Sequence, residues 1–303
     1  MNHLIRVIDC GGSGLRRADV YDSKLKNLVM VTGDFTMEKI ISFAIDNIEP
    51  GTKAIAYATA GVIENYQKII ICPNIPLLNG VNLKQKLQEA SGLPVIVVND
   101  METAVTGMAQ LFPQLDYFIA ITRSTGIGLR VWNHGNMLSD SEGGHMKLDS
   151  SPNAPLCGCG KQGCVEAILG GRAITNTVME KMKAMGIEIP PSTDPCKWLD
   201  DCYIKGESWA ADYYAQTIIP ALALFLANIQ SLFRVPAIIW KGSLAKKSFK
   251  EVPDLERLVR QEMKKIIINP AWVDDLKFYF SPDDPKNLDS FLGAAFIASK
   301  KLL

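Results

Sequence analysis

From Glu142 to Glu166 the chain reads EGGHMKLDSSPNAPLCGCGKQGCVE. Eleven residues separate His145 from Cys157, and Cys159 and Cys164 follow at once. One imidazole and three thiolates make a closed tetrahedral set for zinc. A closed set leaves no position for water, so such an ion is structural rather than catalytic. The same residues also fit a plainer description, three buried thiols beside a surface histidine. A disulfide between Cys157 and Cys159 closes too small a ring. The other four cysteines, Cys10, Cys72, Cys196 and Cys202, are scattered, and the total of seven is odd. Both facts argue against a disulfide framework.

Outward from this segment, strand and helix patterns alternate. Leu4 to Asp9 reads as a buried strand, Cys10 to Gly14 as a turn and Leu15 to Val20 as a second strand. Asn27 to Val31 makes a third strand. Met37 to Ile48 carries apolar residues at helical spacing. A strand over Ala54–Ala60 and a helix over Asn82–Glu89 come next. Pro94 to Val98 is a strand ending at Asn99-Asp100, before a helix from Glu102 to Leu111. The pattern restarts with a strand at Tyr117–Thr122, a turn at Ser124–Gly128 and a strand at Leu129–Trp132. Helices dominate thereafter, with strands at Ala237–Trp240 and Leu276–Phe280. Alternation of this kind implies an α/β fold with helix-covered sheets. The restart implies two related lobes with a cleft between them, where ligands tend to bind. We place the boundary near Pro113-Gln114. Residues 1–114 then form an N-terminal α/β lobe, onto which a C-terminal helix of about 288–303 packs back. Residues 115–303 form a C-terminal α/β lobe carrying the zinc-binding loop.

The segment Glu142-Gly143-Gly144-His145, followed by Cys-Gly-Cys-Gly-x-x-Gly-Cys-x-Glu ending at Glu166, resembles the signature of ROK-family sugar kinases and repressors. The resemblance extends outward in family order. Asp9-x-Gly11-Gly12-Ser13 is similar to a first phosphate turn. Pro73-Asn74-Ile75-Pro76 is similar to a sugar-side motif, Asn99-Asp100 to a catalytic pair, and Thr125-Gly126-Ile127-Gly128 to a second phosphate turn. The last third matches more weakly, at Ala237–Ser243 and Leu292–Ala295. Taken alone, the first and third of these also fit a hairpin turn and a helix cap.

The resemblance implies an actin/hexokinase-like (ribonuclease H-like) two-lobed fold with a duplicated βββαβαβ core. It implies transfer of the γ-phosphoryl group of ATP to a hydroxyl of a hexose or N-acetylhexosamine, as in glucokinases and N-acetylmannosamine kinases. A sugar hydroxyl is a poor nucleophile until its proton is taken, and Asp100 is the expected general base. Asn74, Asn99, Asp100, Glu142, His145 and Glu166 are the expected sugar ligands. One ring nitrogen of His145 would bind zinc, with Cys157, Cys159 and Cys164, while the other faces the sugar. Asp9 would hold magnesium through water. Gly11, Gly12, Ser13, Thr125, Gly126 and Gly242 would meet the phosphates or nucleotide. The family also suggests a homodimer.

The chain departs from the family on the phosphate side. Ser13-Gly14 stands where Thr-Lys is usual, Ser124, Leu129 and Arg130 where glycines are usual, and Lys241-Gly242 where Gly-Gly is usual. Bulk there would obstruct ATP, or Arg123, Arg130 or Lys241 would supply charge to phosphates. A sugar-binding sensor with weak catalysis is therefore the second functional reading.

Bulk composition narrows the remaining classes. The chain has 303 residues, 48% of them hydrophobic and 21% charged, with 32 basic and 32 acidic side chains. No basic excess points to nucleic acid. A family repressor would carry a helix-turn-helix ahead of its core, whereas three residues precede the first strand here. Leu4 to Asp9 is too short for a signal peptide. The longest apolar run, Ile218–Ala227, contains Pro220 and falls short of the roughly 20 residues of a membrane span. A cytoplasmic protein with no membrane partner is the expectation.

Overall fold

The computed structural model describes residues 3–11, 14–72, 75–138, 141–282 and 287–303. The chain divides into two compact units. Unit 1 comprises Met1–Asp116, His134–Met137 and Pro282–Leu303; unit 2 comprises Tyr117–Asn133 and Leu138–Ser281.

Unit 1 is built on strands β1 (Leu4–Gly11), β2 (Gly14–Tyr21), β3 (Lys24–Val31), β4 (Thr52–Thr59) and β5 (Val95–Asn99), in the order β3-β2-β1-β4-β5. β2 runs antiparallel to β1 and β3, whereas β4 and β5 run parallel to β1. Parallel neighbours need covered faces, and the period-2 pattern supplies them. Ile8 and Cys10 face one cluster with Ile40 of helix α1 (Met37–Ile45) and Leu83 and Leu87 of α2 (Leu83–Ser91). Ile5 and Val7 face another with Phe291, Ala294 and Ala298 of the C-terminal helix Leu288–Leu302. That helix packs on α3 (Asp100–Leu111) almost backbone to backbone. A Cβ at Gly107 would lie 1.7 Å from the Asp289 carbonyl oxygen, so only glycine fits there.

Unit 2 repeats the arrangement. Its strands β6 (Tyr117–Arg123), β7 (Ile127–Asn133), β8 (Ala237–Lys241) and β9 (Lys277–Phe280) run in the order β7-β6-β8-β9. β7 is antiparallel to β6, and β8 and β9 continue parallel. In both units, then, an antiparallel hairpin leads into parallel strands. The continuous helix Ser208–Phe233 is long and apolar enough, by length and composition alone, to cross a membrane. Leu222, Phe225, Leu226 and Ile229 of this helix belong to the core of unit 2, which accounts for its hydropathy. A wide turn over Tyr214–Ile218 precedes Pro220, whose nitrogen has no hydrogen to donate.

Candidate functional site

In unit 1 the expected catalytic residues stand at the carboxyl edge of the parallel strands. Asp9 is in register with Ala58, and Asn99 with Thr59. Carboxyl edges of parallel strands are where α/β sheets hold ligands. Asn99 caps α3, its Oδ1 accepting from the N–H groups of Met101 (2.9 Å) and Glu102 (3.3 Å). Its Nδ2 donates to the Gly61 carbonyl at 3.0 Å. The cap fixes where the next residue points. Asp100 Oδ1 accepts from Met101 N–H at 2.8 Å, at a helix N-terminus that favours an anion. Asp9 is buried, and its Oδ2 accepts from Arg16 Nη1 (3.0 Å) and Asn287 Nδ2 (2.8 Å). Neither partner was anticipated. Arg16 was readable, because the hairpin register sets it opposite Asp9. Asn287 was not, since 278 residues separate it from Asp9. Gly11 ends β1 opposite Gly14. Gly12, Ser13 and Asn74 lie outside the described residues.

In unit 2 the turn at Thr125-Gly126, Glu166 and Cys157 form one chain of contacts. The turn Ser124–Gly126 closes with Ser124 N–H donating to the Gly126 carbonyl at 3.0 Å. It is tied to the start of the helix Gly171–Ala184 by bonds from Gly171 N–H to Ser124 O (2.8 Å) and Arg172 N–H to Thr125 O (3.0 Å). Glu166, on the short helix Val165–Leu169, reaches into this turn. Its Oε2 accepts from Ile127 N–H at 2.9 Å, and a Cβ at residue 126 would come within 2.3 Å of that oxygen. Its Oε1 lies 3.9 Å from Cys157 Sγ. Gly242 follows β8, and Lys241 is in register with Thr122 near the carboxyl end of β6.

His145 Nδ1 is 3.6 Å from Cys157 Sγ, and Cys159 Sγ is 3.7 Å from Cys164 Sγ. One ligand atom from each of the four residues lies within 4.8 Å of the others. Tetrahedral zinc, with bonds of about 2.3 Å to sulfur and about 2.0–2.1 Å to nitrogen, requires ligand–ligand edges of about 3.5–3.8 Å. Both of these separations meet this requirement, and 3.7 Å between sulfurs is far beyond a covalent bond. The loop folds around the cluster through bonds from Cys157 N–H to Lys161 O (2.7 Å), Gly163 N–H to Pro155 O (2.8 Å) and Val165 N–H to Met146 O (2.9 Å). These residues fit a structural zinc ion.

For magnesium the fit is indirect. Arg16 and Asn287 occupy Asp9 Oδ2, and the neighbouring guanidinium disfavours direct binding of a second cation. A metal held through water by the other oxygen is compatible, since magnesium keeps several waters.

Two residues considered as phosphate-binding cations do other work. Arg123 is buried, and its Nε donates to the Leu169 carbonyl at 2.9 Å. Arg130 is also buried, on the strand face opposite core residue Leu129, and turns toward Ser141 and Glu142. A cavity of about 310 Å³ lies beside the turn, lined by Ser124, Thr125, Arg172, Asp200, Ser243 and Lys247 among others. Arg172 and Lys247 bring positive charge to it, and nothing in their sequence context had marked them.

Asp200 accepts from the Tyr214 hydroxyl and, at 3.5 Å, from Ser248 Oγ. Burial raises its pKa from 3.8 to about 6, against the opposing pull of the Tyr214 hydroxyl and the Arg123 guanidinium. The folded chain therefore holds an extra proton between about pH 4 and pH 6. The stabilising contribution of this carboxyl is complete below about pH 4 and is lost as pH rises through about 6, a swing of about 2–3 kcal/mol. Urea midpoints of Asp200→Asn should show a flatter decline than the parent over this window. Parallel profiles would contradict the assignment.

The ROK family model matches residues 18–301. N-acetylmannosamine kinase of Citrobacter koseri is 32% identical over 181 aligned positions, covering 55% of this chain and 61% of that enzyme's length. Glucokinase of Thermotoga maritima is 25% identical, covering 97% of both chains. The structure of a ROK hexokinase from Thermus thermophilus superposes with a TM-score of 0.77 at 20% identity, over 98% of this chain and 99% of that one. The fold is thus the actin/hexokinase-like α/β fold.

Proposed function

The chain belongs to the ROK family, and from that premise we propose that it is a sugar kinase, moving the γ-phosphoryl group of ATP to a hydroxyl of a hexose or N-acetylhexosamine. The observation that carries this reading is the position of Glu166. Its carboxylate joins the second glycine turn to the Cys157 thiol, which supports reading it as an acid for sugar hydroxyls set between the proposed phosphate turn and the proposed metal ligands.

Glu166, Glu142 and His145 are proposed to select the acceptor by pairing with its hydroxyls. Unmet partners of that kind are costly, which gives discrimination. His145 uses Nδ1 toward the thiols, leaving Nε2 for the sugar. Asn99 aims Asp100, which takes the proton of the reacting hydroxyl as the oxygen attacks phosphorus. The backbone N–H groups of Gly11, Thr125 and Gly126 and the cavity beside Thr125, with Gly242 at the end of β8, receive the nucleotide and its phosphates. Asp9 would hold magnesium through water, and the ion, bound with ATP, would supply charge neutralisation.

A coupled ADP-release assay over glucose, N-acetylmannosamine, N-acetylglucosamine and fructose tests the proposal. Sugar-dependent ADP formation with at least one member is expected. Sugar binding without ADP release by any of them would make the chain a sensor.

A further inference from the structure

Arg130 interrupts β7 with a charge where the strand should be apolar or glycine, and it is buried, with 5% of its side chain exposed. Its guanidinium is engaged in one direction. Nη1 donates to the Leu129 carbonyl at 3.0 Å and to the Ser141 carbonyl. The Ser141 hydroxyl donates to the same Leu129 carbonyl at 3.0 Å, which closes a three-residue knot between the strand and residue 141. Nη2 lies 3.8 Å from Glu142 Oε1. Glu142 itself is 71% exposed, so its carboxylate is flanked by a buried cation on one side and open on the other. An exposed carboxylate on a loop normally samples several rotamers and contributes little when paired at the surface. Here one partner is fixed in the core, so only the glutamate side of the pair faces solvent, and the loop backbone is pinned at the preceding residue.

We infer that Arg130 is a positioning residue for acceptor recognition: it holds the Ser141–Glu142 backbone against β7 and orients the Glu142 carboxylate for sugar hydroxyls. A buried, fixed cation is an efficient way to do this, because the ordering cost of the glutamate is met before the ligand arrives. Arg130 touches no reacting atom, so its removal acts on sugar affinity and leaves the proton-transfer step alone. The inference rests on Glu142 being a sugar ligand, as proposed above.

The test is a double-mutant cycle on the full chain loaded with zinc, using R130Q, E142Q and the double variant. Affinities for glucose and N-acetylmannosamine are measured by titration calorimetry, and kcat and KM by ADP release. R130Q should weaken binding of the preferred sugar by about tenfold, raising KM with kcat within about twofold. In the E142Q background the same change should cost less than about twofold. Equal losses in the two backgrounds would overturn the inference, as would unchanged affinity in R130Q. If R130Q fails to fold, R130K replaces it. The ammonium cannot serve both the carbonyls and Glu142, so a loss of about threefold that disappears with E142Q is expected. Additivity there would equally overturn the inference. A parent protein that binds neither sugar would instead defeat the acceptor reading itself.

Discussion

Asp100→Asn lowers kcat by about 100-fold or more while sugar affinity stays within about twofold of the parent. The size follows from the role. General-base assistance contributes typically about 10²–10⁴ in rate, and an amide cannot accept the hydroxyl proton. The expected selectivity for kcat follows from the structure. An asparagine at 100 keeps an oxygen that can accept from Met101 N–H, as Oδ1 does now at 2.8 Å. The cap of the helix belongs to Asn99, not Asp100, so its two backbone bonds survive the change. Steady-state kinetics with calorimetry on the same sample checks the prediction. Turnover within about tenfold of the parent would remove Asp100 as the base.

Cys164→Ala empties the metal site and weakens sugar binding by at least about tenfold. Changes to the groups that merely orient metal ligands commonly cost about 10–100-fold in metal affinity or activity; loss of a ligand itself should cost at least as much, and here the consequence reaches several proposed sugar ligands together. Cys164 immediately precedes the helix that carries Glu166. Backbone bonds join Leu148 to Gly163 and Val165 to Met146, so the His145 and Cys164 ends of the loop are laced to each other on either side of the cluster. Without an ion, four potential ligands that lie within 4.8 Å of one another lose the bonds that justify their crowding. The imidazole then loses its fixed orientation, and Glu166 loses a stationary neighbour. Metal analysis, thermal melting and sugar titration should change together, falling from one zinc per chain to near none. Chelator treatment of the parent should reproduce the effect without a mutation. A metal-free parent that binds sugar with full affinity would contradict the structural role.

Much of this is legible in the sequence because it is local. The period-2 alternation of Ile5, Val7, Ile8 and Cys10 assigns two faces to β1, and both faces are covered as that pattern demands. Asn99 reads as a cap and serves as one. The restart near Tyr117 reads as a duplication, and both sheets show the same hairpin-then-parallel order. What was missed divides into two kinds. The helix Pro195–Ile204 had a readable signal that went unused: Asp194 caps it, with proline in the first turn. The helix Ser243–Glu251 had weaker signals, since Gly242 precedes it without a side-chain cap bond. The Asp9–Asn287 bond and the Arg130–Leu129–Ser141 knot, with Glu142 beside it, had no local signal at all. Each depends on where a distant or returning segment lands, which spacing does not encode. The glycine departures at 129 and 130 resolve for the same reason. Leu129 faces the core and Arg130 the Glu142 loop, so neither side chain takes part in the Ser124–Gly126 turn.

The most direct trial is phosphorus NMR of the purified zinc-loaded chain with magnesium, ATP and each sugar of the panel, the Asp100→Asn protein run beside it. A sugar-phosphate resonance growing in step with ADP for the parent, and nearly absent for the variant, is the predicted result. ATP left intact by the parent with every sugar, or the same product forming at the same rate in both proteins, would contradict the account.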